Sequence, residues 1–291
     1  MQDNNEEKPK NLNWDLWLGP ASYTKYTSQL HPFNWRGWWD YGTGALGDMG
    51  CHILDAPYKT LGLHYPTDVE CSVGSVYQQA WSQNFIPEGC PPSSIVTLHF
   101  DETDKNDSKI ELVWMDGGLR PSHPEDIPAD DFLGEKNSTN GVLMIGEKGV
   151  ISCGVYALTP KLYRKGEKTI EFDTGGESSL DHIHHMEWIN GIKAGYMSDI
   201  YKKITAPFEY AGPFTETVLM GNLAIRSYMS MGKEKPKYFE DKYHTSEFGK
   251  FVGRKKLLWD GDNMKITNFD EANKFVGRAR RPGWNLSLIH I

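Results

Sequence analysis

In the run Gly44-Ala-Leu-Gly-Asp48-Met-Gly-Cys-His52-Ile-Leu-Asp55 a carboxylate, an imidazole and a second carboxylate follow one another at intervals of four and three. On a helix all three share one face. A carboxylate one turn from an imidazole can fix its tautomer and stabilise its protonated form, as a base that takes a hydroxyl proton near neutral pH requires. Gly44, Gly47 and Gly50 would let a ligand approach the backbone closely. The same spacing also describes the solvated face of an ordinary amphipathic helix, so spacing alone leaves both readings open.

Other groups are weaker candidates. Asp181-His182-Ile-His184-His185 holds ligand-type side chains, but His182 and His185 share a helical face that His184 does not. The sequence favours a polar helix start, with His185 as a substrate contact and no metal site. Tyr210 and Glu216 are open to a substrate-facing or a surface reading. Gly42-Thr-Gly44-Ala-Leu-Gly47 has the glycine spacing of a dinucleotide loop, yet the preceding Trp35-Arg-Gly-Trp-Trp-Asp-Tyr41 is no buried parallel strand. Asp48 would also set a carboxylate where a pyrophosphate should be drawn to free N–H groups. The loop reading is rejected. Cys51, Cys71, Cys90 and Cys153 form no Cys-x-x-Cys pair and read as ordinary thiols.

The elements that must hold these residues can be read from periodicity. Residues 11–43 are dense in aromatics, Gly and Pro without helical or strand period, which predicts an irregular packed segment. A helix is expected over 48–61, strained at Pro57. Alternation predicts strands at 69–73, 96–100 and 110–114, a hairpin 142–145/150–153 turning at Gly146-Glu-Lys-Gly149, and two more strands within 158–172. Residues 116–140 read as a long loop. Helices are expected at 181–194, at 214–231 with Pro213 in the first turn, and at 270–278 capped by Asn268. Strands clustered between helices indicate an α+β fold with an open, mostly antiparallel β-sheet and helices on one face.

With 291 residues and 38% hydrophobic content the chain can bury a sizeable core. A formal charge of −8 disfavours nucleic acid, no run suits a membrane span, and a soluble chain is expected in the cytoplasm or the periplasm, which the sequence leaves open. Residues 1–36 read as a linker or crossover segment, 37–286 as the substrate-binding domain, and 287–291 resemble a translated sequencing adaptor and are set aside.

The run from Asn34 to Asp55 resembles the signature of the Gfo/Idh/MocA oxidoreductases, the glucose-fructose oxidoreductase and inositol dehydrogenase group. Asn13-Trp-Asp-Leu-Trp-Leu-Gly-Pro-Ala21, Tyr210-Ala-Gly-Pro-Phe-Thr-Glu-Thr217 and Leu258-Trp-Asp-Gly-Asp-Asn-Met-Lys-Ile-Thr-Asn268 are similar to segments of its bacterial members. The resemblance implies an N-terminal Rossmann domain, to which the visible chain would be the C-terminal partner, with NAD or NADP bound mainly by that other domain. It implies that His52 is the acid/base, that Asp48 supports it or holds a substrate hydroxyl, and that Trp35 and Arg36 lie near the cofactor. It also implies an oligomer formed through the sheet. Ile95 beside Val96 and Val113 beside Trp114 point the same way, because they put apolar residues on both sheet faces. Glu7-Lys-Pro9 matches the family's lysine motif only by accident of composition, since it sits in a polar tail too near Asp48.

Three classes of function stay open: dehydrogenation of a sugar or cyclitol hydroxyl, redox-assisted glycoside cleavage, and a non-catalytic dimerisation or sugar-binding module. The visible chain alone is expected to bind NAD or NADP negligibly and to be inactive without its partner domain.

Overall fold

The computed structural model describes residues 6–79, 82–84, 86–135, 140–174, 180–230, 237–238, 247–248 and 251–284. In chain order its elements are α1 (Trp14–Leu18), α2 (Gly44–Ile53), α3 (Asp55–Thr60), β1 (Asp68–Val73), β2 (Val76–Gln79), β3 (Ser82–Asn84), β4 (Ser94–Phe100), β5 (Ile110–Met115), β6 (Val142–Gly146), β7 (Gly149–Cys153), β8 (Lys161–Tyr163) and β9 (Ile170–Glu171). There follow α4 (Leu180–Ala194), α5 (Phe208–Tyr228), β10 (Lys237–Tyr238), β11 (Glu247–Phe248), β12 (Leu257–Asp260) and β13 (Lys265–Ile266). The fold is α+β with antiparallel sheets, as the alternation indicated, but the strands divide between two main sheets, β13-β12-β1-β4-β5 and β6-β7-β8-β9. Among the described residues no helix is long and apolar enough to cross a membrane.

Strict alternation builds the main core. In β4, Val96, Leu98 and Phe100 are buried, and Val69 on β1, Trp114 on β5 and Leu257 on β12 join them. α5 lies across β1 and β4 on this face, and α2 packs on α5. At Gly221 α5 comes close to both neighbours: a methyl there would press on Leu46 Cδ2 of α2 and sit tightly against Val96 Cγ1 of β4. The second sheet turns one side to this core through Val142 and Cys153. Its other side covers a small core of Ile127, Val150 and Tyr163. Residues 116–135 run as a loop, anchored where Asp131 accepts from the Tyr163 hydroxyl at 2.8 Å and Lys161 Nζ at 3.1 Å.

Residues 6–43 form their own aromatic cluster. Trp14 stacks on Trp17 at 4.5 Å and packs with Leu18 and Leu30, while Trp38 and Tyr41 close it from the side of α2. Arg281 clamps this unit to the far end of the chain, with Nε donating to the Gly19 carbonyl at 2.7 Å and the other guanidinium nitrogens to Asp15.

Three expected helices differ in detail. The 48–61 helix is two, because Pro57 has no N–H for the Ile53 carbonyl and its ring would press on that residue, where α2 ends. α5 starts at Phe208 behind Pro207, six residues earlier than expected, so Pro213 is interior; Thr217 donates back to the Pro213 carbonyl at 2.9 Å. The last helix is a short 3-10 stretch, Asp270–Phe275, and Asn268 does not cap it. Its side chain instead accepts from Leu258 N–H and donates to the Lys256 carbonyl, pinning β12. Residues 287–291 lie outside the described residues.

The sheet face away from α5 is mixed in character. It carries Asp68, Glu70, Thr97, His99 and Glu111 beside Ile95, Val113 and Leu258, so it is less apolar than the pairs Ile95–Val96 and Val113–Trp114 suggested. Here Asp68 accepts from His99 Nδ1 at 2.6 Å and from Lys256 at 3.1 Å. Burial alone would raise the Asp68 carboxyl, but the hydrogen bonds from Lys256, His99 and Thr67 outweigh it and hold the group below its ordinary value. Asp131 is lowered in the same way by Tyr163 and Lys161. A carboxyl lowered by folding stabilises the protein above its unfolded pKa of about 3.9, and that stability is lost as pH falls through the folded value. The urea midpoint should therefore drop below about pH 4, and Asp68→Asn combined with Asp131→Asn should flatten that drop while lowering the midpoint near neutrality.

Candidate functional site

The site is built on α2. Its first residue, Gly44, has φ of 64°, a left-handed conformation that costs an L side chain roughly 1–2 kcal/mol. A Cβ there would also press on Cys90 Sγ, so glycine is needed for the chain to turn from the aromatic segment into the helix. The strand that a dinucleotide loop would require is not there: a 3-10 turn, Asn34–Gly37, precedes Gly42. The 86–90 loop holds this turn, with Cys90 N–H donating to the Gly37 carbonyl at 2.8 Å and Trp39 N–H to the Glu88 carbonyl at 3.0 Å.

Asp48 and His52 lie one turn apart on α2, as their spacing requires. The carboxylate does not bond the imidazole. Asp48 Oδ1 takes Arg36 Nε at 3.2 Å, leaving Oδ2 without a donor among the described residues. Arg36 is held in turn by the Phe33 and Trp35 rings, at 4.3 and 4.4 Å from its guanidinium carbon, and by the Phe33 carbonyl. An ion pair this exposed contributes at most about 1 kcal/mol to stability, so its effect is on the orientation of Asp48. Trp35 and Arg36 thus come to the same cluster as Asp48, although they precede it by more than ten residues.

The His52 ring makes no hydrogen bond among the described residues and meets Tyr156 edge-on, with centroids 5.3 Å apart. Sequence reasoning missed Tyr156. It follows β7 in a turn where Tyr156, Ala157 and Thr159 all have positive φ, at 58°, 57° and 46°. Glu135 from the long loop fixes this turn by accepting the Val155 N–H at 3.0 Å. Non-glycine residues in this region carry strain of order 1–3 kcal/mol and gather at functional sites. Nothing in Gly154-Val-Tyr-Ala-Leu-Thr159 announces a left-handed backbone, so only the fold could reveal the contact.

Asp55, the first residue of α3, leaves the site: it accepts from the Tyr210 hydroxyl at 2.5 Å. Burial and that hydrogen bond push the Tyr210 phenol well above its ordinary range, so Tyr210 works as a packing donor. Glu216 accepts from Trp259 Nε1 at 2.7 Å. His185 sits exposed on α4, where its ring lies 6.2 Å from that of His184, and among the described residues no contact brings it to Asp48 or His52. His184 is bonded to Thr205, whose hydroxyl donates to Glu187. Among the described residues no three His, Cys, Asp or Glu side chains converge as a metal site would require.

Chemically, the cluster offers an unengaged imidazole, a carboxylate oxygen one turn away, and a tyrosine ring closing the side. Replacing Tyr156 by glycine should leave folding stability within about 1 kcal/mol, because relief of the positive φ offsets the freedom glycine gains when unfolded. It should lower turnover, because the wall beside His52 is gone. Thermal unfolding and steady-state kinetics on the same sample separate the two effects.

Residues 2–84 match the family model described as "Oxidoreductase family, C-terminal alpha/beta domain", that of the Gfo/Idh/MocA proteins. The matched span holds α1, α2 and α3 and all of Trp35, Arg36, Asp48 and His52. No curated protein matches the chain. Over residues 2–84 the chain is therefore similar to the C-terminal α/β domain of the Gfo/Idh/MocA oxidoreductase family.

Proposed function

We propose that the cluster of Arg36, Asp48, His52 and Tyr156 is the proton-handling half of an NAD(P)-dependent oxidoreductase acting on a sugar or cyclitol hydroxyl. The observation that carries this reading is the imidazole of His52, unbonded among the described residues, one helical turn from a carboxylate and walled by a residue of strained backbone. Bound nicotinamide supplies the hydride acceptor, held mainly by a separate Rossmann domain. The donor set fits such a partner: Trp35 offers a flat apolar surface and Arg36 a cation beside it. His52 takes the hydroxyl proton as the substrate C–H hydrogen departs with its electron pair, which leaves a carbonyl. Asp48 Oδ2 accepts from a neighbouring substrate hydroxyl and sets the substrate's orientation, while Arg36 holds the carboxylate in place. Assembly through the uncovered face of the five-stranded sheet completes the proposal. Ile95, Val113 and Leu258 supply apolar contact there and the charged row about Asp68 supplies register, in a symmetric pair.

The test is net nicotinamide reduction by the chain joined to its nucleotide-binding domain, over a panel of pyranoses and inositols with each cofactor. Stereospecific reduction with one substrate class is expected. Glycoside cleavage without net reduction would replace this reading with the redox-assisted one. Sugar binding with no chemistry at all would reduce the domain to a binding module. Sedimentation that finds only monomer at high concentration would remove the sheet interface.

A further inference from the structure

A second site lies on the flank of α5, and His52 is not among the residues that line it. A cavity of about 440 Å³ opens between α5, the β12–β13 hairpin, the 3-10 stretch at 270–275 and Trp39, Gly42 and Thr43 ahead of α2. Its helix wall includes Leu219, Asn222, Leu223 and Arg226, spaced three and four apart on a side of α5 other than the one that meets the sheet at Gly221. A solvated helix flank would normally be polar. Here Leu219 is 41% exposed and Met264 across the cavity 56% exposed.

Two polar groups in this wall have no hydrogen-bond partner among the described residues. Asn222 is 5% exposed, and neither its Nδ2 nor its Oδ1 finds a hydrogen bond, although a buried amide left unpaired costs free energy in any fold. One turn on, the Arg226 guanidinium packs on the rings of Trp39 and Phe275, at 5.4 and 4.4 Å, and among the described residues no carboxylate or carbonyl accepts from its N–H groups. Asp40 acts on it only through its field, and Arg278 adds a second positive charge nearby; burial, the largest effect, pushes the Arg226 pKa down. Glu216, which also lines the cavity, stands ten residues back along α5, about 15 Å at 1.5 Å per residue, and is engaged by Trp259. The cavity is therefore cationic at one end and apolar along its length.

We propose that this cavity binds a small monocarboxylate with an apolar body. Its carboxylate would meet the Arg226 edge and the Asn222 amide, and its body would lie along Leu219, Leu223 and Met264. A planar guanidinium presents parallel N–H donors that match a carboxylate, which a neutral isostere cannot fully use. The site is independent of the chemistry proposed at His52, and its test needs no turnover.

Calorimetric titration of the chain with phenylacetate and 4-methylpentanoate, against the neutral phenylacetamide, is the experiment. Saturable binding of the acids, at least tenfold tighter than the amide, is expected. Arg226→Gln should abolish that preference, and Asn222→Leu should weaken the acids at least tenfold without lowering the melting temperature, since it removes an unpaired buried amide. Thr215→Trp, an exposed position lining the cavity, should block binding while leaving the fold intact. Equal binding of acid and amide, binding that survives both Arg226→Gln and Thr215→Trp, or no saturable binding of either acid would overturn the proposal.

Discussion

Substitution of His52 by alanine is expected to lower kcat and kcat/KM together by about 100- to 10,000-fold, the range that general bases supply. KM should change little. The expectation rests on position: His52 is partly exposed on α2, bonded to nothing among the described residues, and carries no share of the core. Its loss should therefore cost under about 0.5 kcal/mol of stability, as for other surface substitutions away from special features. Asp48→Asn should act in the same direction but less strongly, because it removes a charge beside the imidazole and also frees Arg36 from its only carboxylate partner among the described residues. The measurement is steady-state kinetics of each variant joined to a nucleotide-binding domain of the kind the proposed function requires, with unfolding followed separately. Near-normal turnover in a folded His52 variant would take the imidazole out of the mechanism and leave α2 as a binding surface.

The grouping of the candidate residues could be read beforehand because it is local. Asp48 and His52 lie on one helix, and Trp35 and Arg36 belong to the same aromatic run, so spacing and resemblance sufficed. Local patterns served equally well for β4 and β5, whose alternation is unbroken, and for the β6–β7 hairpin with its Gly146–Gly149 turn. What stayed hidden depends on contacts distant in sequence. Tyr156 reaches His52 across 104 positions, the difference of their numbers, in a turn where three of the four residues 156–159 take positive φ. Asp55 looked like part of the helical triad because period alone cannot see that Pro57 ends α2 at Ile53, nor that Tyr210 would claim the carboxylate. The β12–β13 hairpin was missed although Asp260-Gly-Asp-Asn263 is good turn sequence, since β13 is only two residues long and is held by Asn273 side-chain bonds. The mixed character of the outer sheet face was also beyond pattern: Ile95 and Val113 are apolar, but the row Asp68, His99 and Glu111 paired across the same face is charged or polar.

The largest expected effect on stability belongs to Leu46→Ala, at about 2–5 kcal/mol. Leu46 is 1% exposed and points from α2 into the junction where α2, α5 and β4 meet, with its Cδ2 above Gly221 and Val96 beyond. Removing three carbons leaves a void between two helices and a sheet, elements too stiff to close over it, so the cavity adds to the lost transfer energy. Gly221 makes the result testable beyond a single number. In the native background a methyl at 221 runs into Leu46 Cδ2, so Gly221→Ala should gain helix propensity but lose more to crowding. With Leu46 shortened, the same methyl enters vacated space and should restore part of the loss. The double-mutant cycle is therefore expected to show favourable coupling of at least about 0.5 kcal/mol, read from urea unfolding of the four proteins. Strict additivity would mean that Leu46 and Gly221 do not share this junction. Because α2 also carries Asp48 and His52, the same void should loosen their placement, and the Gly221→Ala rescue should return turnover along with stability.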